Sequence, residues 1–358
     1  MPSLDLSVSA VELSRIICDI PSVSDDETVL ADAIHGAIAP LTHLEVYRDG
    51  DTIVARTDLG RPQRVVIAGH IDTVPINGNV PTRDVSIDGQ PFLWGRGTVD
   101  MKAGVAVQLK LAAELAAPRV DITWMWYDHE EVDADLNGLT RLARTRPDLF
   151  AADFAILGEP SNGEVEGGCN GNLRAIVRTA GVRAHSARAW VGENAIHKAA
   201  PVLQRLADYR PREVAVEGLV YREGLNAVRI RGGIAGNVIP DLCEVEVNYR
   251  FAPNRSLDEA EAHVRDVLAG FDVEVVDGAA GARPGLDAPL AQEFLAAVRA
   301  EPRPKYGWTD VARFSALGVP AVNYGPGDPH LAHHDEERVS VAQIEAVERG
   351  LRAWLTGS

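Results

Sequence analysis

Residues 8–20 place apolar side chains at helical spacing, and residues 27–39 repeat the pattern until Pro40 stops it. Both segments predict amphipathic helices. Further along, the apolar positions close up into short runs at 64–69, 120–127, 154–157 and 319–324. Runs of this length suit buried strands. Helical spacing returns at 103–116 and 290–300. Buried strands alternating with helices predict an α/β domain with a largely parallel sheet.

The middle of the chain reads differently. Residues 173–180 predict a strand, 194–209 a helix, 226–234 and 242–251 two strands, 256–269 a helix and 272–276 a last strand. The order β-α-β-β-α-β is that of a split βαβ, ferredoxin-like unit. A Gly/Ala/Pro tract at 278–285 follows as a hinge. The expected organisation is an outer domain of residues 1–173 and 282–358 with an inserted domain of residues 174–281.

Composition narrows the classes. A length of 358 residues suits two domains, and 35 Lys+Arg against 52 Asp+Glu give a net charge of −17. That surplus of acid argues against nucleic acid as a partner, because phosphates select Lys and Arg clusters. No apolar run approaches the roughly 20 residues that span a bilayer. The first residues carry Asp5 and Glu12 and lack the basic start of a signal peptide. The cysteines are Cys18, Cys169 and Cys243, without a CxxC pair. Neither a disulfide framework nor a thiolate zinc site is expected, and a reducing cytoplasm is. A bound metal would have to be held by His and carboxylates.

Those residue types fall at telling positions. His70 and Asp72 follow the run at 64–69, Glu130 and Glu131 follow 120–127, Glu159 follows 154–157, and His333 and His334 follow 319–324. Asp100 precedes the helix predicted at 103. In open α/β sheets the functional crevice lies at the carboxyl ends of the strands, so parallel neighbours would gather these side chains on one rim. A hard donor set of this kind suits zinc, cobalt or manganese, and a shared carboxylate would make a two-metal site. Asp72 lies two residues past His70 and can reach its ring. Of the acidic pair, one member could bind metal and the other carry a proton. His129 is a rival ligand, and His333 and His334 are each either ligand or surface loop. The segment Gly95-Arg96-Gly97 is too weak to be a phosphate loop, and there is neither a Walker motif nor a GxSxG elbow.

Taken together, segments 69–75, 95–102, 130–131, 158–160 and 325–333 resemble, in order, the motifs of the di-zinc M20 metallopeptidases and deacylases. The inserted domain is similar too, through 181–186, 194–198, 237–240 and 248–250. The resemblance is strongest to the succinyl-diaminopimelate desuccinylases of actinobacterial type, carried by 171–173, 221–225, 250–254 and 307–310. It implies a zinc-peptidase-like domain with an inserted dimerisation lid. It implies a cytoplasmic homodimer with two Zn²⁺ per subunit, cobalt substituting. The activity it implies is cleavage of N-succinyl-LL-2,6-diaminoheptanedioate to succinate and LL-2,6-diaminoheptanedioate.

By the same resemblance His70 and Glu159 hold one zinc, Glu131 and His333 the other, and Asp100 bridges them. Glu130 is the general base, Asp72 orients His70, and His185 reaches the partner subunit's site to stabilise the oxyanion. Asn237, Arg250 and Thr309 bind the substrate. The alternatives are a related acetylornithine deacetylase or carboxypeptidase, or a non-catalytic binding protein on the same fold. One departure stands out. Better-known desuccinylases have an Arg-rich turn just before the Gly-Asn-Leu motif, whereas here residues 167–170 contain no Arg. Arg174 and Arg178 lie nearby in sequence.

Overall fold

The computed structural model describes residues 2–357. The chain divides into two compact units, one of residues 1–167, 284–303 and 313–358, the other of residues 168–283 and 304–312. The second unit is a little wider than residues 174–281. Strand Gly171–Ala180 pairs from its first residue, Gly171 opposite Phe251, so the division falls before that strand.

The first unit is built on an eight-stranded sheet. Its order is Glu45–Asp49, Thr52–Arg56, Asp121–Tyr127, Arg64–His70, Phe154–Leu157, Ala321–Asn323, Glu166–Gly167 and Arg303–Pro304. The four strands from 121–127 to 321–323 run parallel to one another. All seven residues of Asp121–Tyr127 are buried, as expected of a central strand covered on both faces. Helices Ala10–Cys18, Lys102–Glu114, Pro289–Val298 and Val341–Thr356 cover the sheet. Phe154, Phe294 and Trp354 form an aromatic cluster among them, with ring centroids 5.1–6.1 Å apart. A separate antiparallel sheet of Arg83–Ile87, Gln90–Trp94 and Arg338–Ser340 joins the segment before Asp100 to the segment after His333.

The second unit has a four-stranded antiparallel sheet in the order Gly224–Gly232, Leu242–Phe251, Gly171–Ala180 and Asp272–Ala279. Alternate residues Leu173, Ala175, Val177, Val245, Val247 and Tyr249 pack inward against Val202 and Val264 of the helices. The helical stretch predicted over 194–209 is two helices, Ala195–Lys198 and Ala200–Asp208. Pro201 stands in the first turn of the second, where its missing N–H is tolerated. Among the described residues no helix is long and apolar enough to cross a membrane.

Candidate metal centre

The parallel strands deliver their ends to one rim. His70 is the last residue of Arg64–His70, Glu159 lies two residues beyond Phe154–Leu157, and Glu130 and Glu131 follow Asp121–Tyr127. His333 sits in the loop after Ala321–Asn323, and Asp100 lies two residues ahead of helix Lys102–Glu114. The glycines of the rim are sterically required. A Cβ on Gly325 would lie 2.1 Å from the Gly158 carbonyl oxygen, and Gly97 has a φ of +79°.

The side chains meet around Asp100. His70 Nε2 is 3.0 Å from Asp100 Oδ1 and 4.0 Å from Glu159 Oε1. His333 Nε2 is 3.4 Å from Asp100 Oδ2 and 2.9 Å from Glu131 Oε2. One carboxylate thus turns each of its oxygens towards a different histidine, and each histidine has a second carboxylate beside it. His70, Asp100 and Glu131 offer ligand atoms that all lie within 4.8 Å of one another. These donors are imidazole nitrogens and carboxylate oxygens, a set that fits zinc or another borderline-to-hard divalent ion.

The neighbours of this cluster separate the rivals. His334 is occupied in its own turn, where its Nδ1 accepts from the Glu336 N–H at 3.1 Å. His129 has a φ of +58° and its ring is drawn elsewhere. Its Nδ1 is 2.7 Å from Asp128 and its Nε2 3.0 Å from Asp25. Asp72 is fully buried. Its backbone carbonyl lies 3.0 Å from His70 Nδ1 and its carboxylate 3.4 Å away. The carboxylate also accepts from Ser24 Oγ at 2.8 Å and from the N–H groups of Glu130 and Glu131, both at 3.0 Å. Asp72 therefore holds the backbone of the acidic pair as well as the His70 ring. Ser24 and this clamp carried no signal in the sequence beyond a Ser in a polar turn.

Burial alone would push His70 down, but Asp100 and Asp72 outweigh it and hold the ring well above the usual imidazole range. Hydrogen bonds to Asp100 and Glu131 raise His333 to about 10. Burial would raise Asp72, yet His70 and the two amides hold it at about 2. Asp100 is held below the ordinary carboxylate range, since His333 and His70 overcome its burial.

The sign of a pH effect follows. The surrounding carboxylates favour the protonated form of both rings, and an ion has to displace those protons. Zn²⁺ uptake is expected to release protons, and its apparent affinity to rise with pH up to about 10, where His333 loses its proton unaided. Calorimetry in two buffers of different ionisation enthalpy checks this, and equal heats in both would contradict it.

The residues assigned to substrate and oxyanion lie in the second unit. His185 and Asn237, far apart in sequence, are brought side by side by the ladder between Ala184–His185 and Val238–Ile239. The Ser186 N–H donates to the Asn237 carbonyl at 2.9 Å, and His185 is exposed with its Nδ1 accepting from the Ala187 N–H at 3.0 Å. Thr309 is buried, and its carbonyl faces Cys169 Sγ at 3.8 Å. Arg174 and Arg178 are committed to carboxylates. Arg174 pairs with Asp277 at 3.1 Å, and Arg178 with Glu244 at 2.9 Å and with Glu274. Arg250 is partly buried and has no carboxylate within ion-pair distance among the described residues; burial lowers its pKa.

The family profile of peptidase family M20/M25/M40 matches residues 66–356. The chain belongs to that family. Within it, a protein of Mycobacterium tuberculosis provisionally named succinyl-diaminopimelate desuccinylase DapE is 52% identical over 357 residues, covering 99% of this chain and 100% of that one. The succinyl-diaminopimelate desuccinylase of Corynebacterium glutamicum is 47% identical over 366 residues, covering 99% and 98%. Among solved structures, a tripeptidase from Staphylococcus aureus superposes with a TM-score of 0.78 at 19% identity, covering 99% of this chain and 98% of its own. A metallo-carboxypeptidase of the M20 family from Sulfolobus solfataricus gives 0.73 at 14%, covering 97% and 98%. These two establish the fold and nothing finer.

Proposed function

We propose that the chain is a two-metal amide hydrolase that cleaves N-succinyl-LL-2,6-diaminoheptanedioate to succinate and LL-2,6-diaminoheptanedioate. The observation that carries it is Asp100, whose two oxygens face two separate His–carboxylate pairs. In this reading His70 and Glu159 would hold one zinc and Glu131 and His333 the other, with Asp100 available to both. Divalent ions held there supply Lewis acidity toward the amide carbonyl and acidify water. Glu130 takes the proton of the attacking water and returns it to the leaving amine nitrogen. Asp72 keeps Glu130 in place through the backbone grip and keeps the Nδ1 face of His70 occupied.

His185 is the oxyanion donor in this proposal, contributed to the site of a second copy in a homodimer. Strand Gly224–Gly232 supports a dimer surface, since it is a sheet edge with Val228 and Ile230 about half exposed. Arg250 and Asn237 take the substrate's carboxylates, with Thr309 beside them. The freedom of Arg250 from internal carboxylates answers the missing Arg turn better than Arg174 or Arg178. Three buried free cysteines suit a cytoplasmic setting.

Substrate preference tests the reading. N-succinyl-diaminopimelate is expected to be hydrolysed at least about 10²-fold faster, by kcat/KM, than N-acetylornithine or a glutamyl dipeptide. A site that binds a second charged group discriminates strongly against analogues lacking it. The opposite order would reject the substrate and retain the family. No hydrolysis of any, together with no metal uptake, would favour a binding protein on this fold.

A further inference from the structure

Two loops of the first unit carry acidic ligand candidates, and both are gripped in the same manner. Asp72 accepts the consecutive N–H groups of Glu130 and Glu131. Glu337 accepts the consecutive N–H groups of Val99 at 2.8 Å and Asp100 at 3.0 Å, both at Oε1. Its other oxygen receives Arg96 Nη1 at 2.8 Å. Glu337 is fully buried and Arg96 is 4% exposed. Arg96 also donates to the carbonyls of Pro75 at 3.2 Å and His334 at 3.3 Å. The backbone of Glu337 joins in, accepting the Gly95 N–H at 2.9 Å and donating to the His334 carbonyl at 3.2 Å. One buried ion pair therefore ties the loop that bears Asp100 to the loop that bears His333.

We propose that Glu337, through its pair with Arg96, is a positioning residue that fixes the spacing between Asp100 and His333. It thereby sets the affinity of the half-centre made by Asp100, Glu131 and His333. This rests on the two-metal reading above. The physical need is visible at His333, a non-glycine residue with a φ of +64°. Such a backbone persists only where its surroundings over-determine it. Glu337 does so through the adjoining turn, while its grip on the Asp100 amide sets the opposing carboxylate. The other half-centre shares Asp100 but draws its remaining ligands from His70, at a strand end, and Glu159, so the clasp holds one side of it rather than both.

Glu337→Gln keeps the acceptor oxygen for the two amides but leaves the buried Arg96 guanidinium facing an uncharged amide. The full-length chain, stripped with a chelator, is titrated with Co²⁺ and followed by visible absorption and equilibrium dialysis. The wild type is expected to take up two ions. In Glu337→Gln the second ion is expected to be weakened about 10–100-fold, the range usual for partners that orient ligands, and the first, which shares only Asp100 with the clasp, by less. The ion weakened more is expected to be the one lost in His333→Ala. Adding Arg96→Gln, which pairs two amides, is expected to restore several-fold of the lost affinity.

A fall in melting temperature with both affinities unchanged would mean a purely structural role and would overturn the proposal. Equal weakening of both ions would overturn it as well. If Glu337→Gln does not fold, Arg96→Lys carries the same test, because it keeps the charge and loses the planar fork. A wild type that binds a single ion would overturn the two-metal reading together with this inference. A wild type that binds two, matched by the variants, would overturn this inference alone.

Discussion

Glu130→Gln is expected to retain both metal ions and to lose about 10²–10⁴-fold in kcat, the usual contribution of a positioned general acid–base. The neighbouring change, Glu131→Gln, is expected to cost an ion as well as turnover. The separation rests on geometry. The Glu131 carboxylate meets His333 at 2.9 Å and offers a ligand atom within 4.8 Å of those of His70 and Asp100. Both amides are held by Asp72, so neither substitution disturbs the loop through its backbone. Metal analysis beside steady-state kinetics reads both effects. Should Glu130→Gln strip an ion while Glu131→Gln leaves both, the two roles are reversed.

His185→Ala is expected to lower kcat about 10²–10³-fold, the range for one oxyanion donor, with metal content unchanged. His185 is exposed, and among the described residues its ring accepts a local hydrogen bond from the Ala187 N–H, so truncation should leave its own unit folded. Mixing this variant with Glu130→Gln tests the proposed exchange between copies. If each copy lends His185 to the other, a mixed dimer has one site with both groups intact. Random pairing at equal ratio makes about half the dimers mixed and leaves roughly a quarter of all sites intact. Recovery to about a quarter of wild-type activity supports exchange. Absence of recovery, with mixed dimers shown to be present, would place His185 in its own chain's chemistry.

The parts of the fold that could be read in advance are those in which a side chain's burial matches its neighbours' along the chain. The four parallel strands are buried and mostly apolar, and ligands at their ends follow from the direction of the strands. The sheet of Arg83–Ile87, Gln90–Trp94 and Arg338–Ser340 carries no such mark, for Arg83–Ile87 is mostly exposed and its partner strands are short. His129 and His333 are both histidines beside acidic residues, and only the backbone decides between them. Both share a positive φ, and their places in the fold separate them: one ring lies against Asp128 and Asp25, the other against Asp100 and Glu131. Glu337 was not legible as a clamp. It acts on amides of Val99 and Asp100, and an amide has no sequence signature.

The order in which the centre's residues leave the ribosome has a consequence for assembly. His70, Asp100, Glu131 and Glu159 are all made before the second unit begins at residue 168, and His333 only after it is finished. Strand Ala321–Asn323 must then slot in between Phe154–Leu157 and Glu166–Gly167, elements made much earlier. Until that late insertion the growing chain presents a half-built parallel sheet with an unpaired edge and an acidic rim short of one histidine. Closing such distant pairings is slow, and exposed strand edges invite wrong partners. The inserted unit, whose sheet strands all lie within residues 171–279, can fold in the meantime on contacts of its own. The proposed centre could therefore be completed only once the last few dozen residues have been translated.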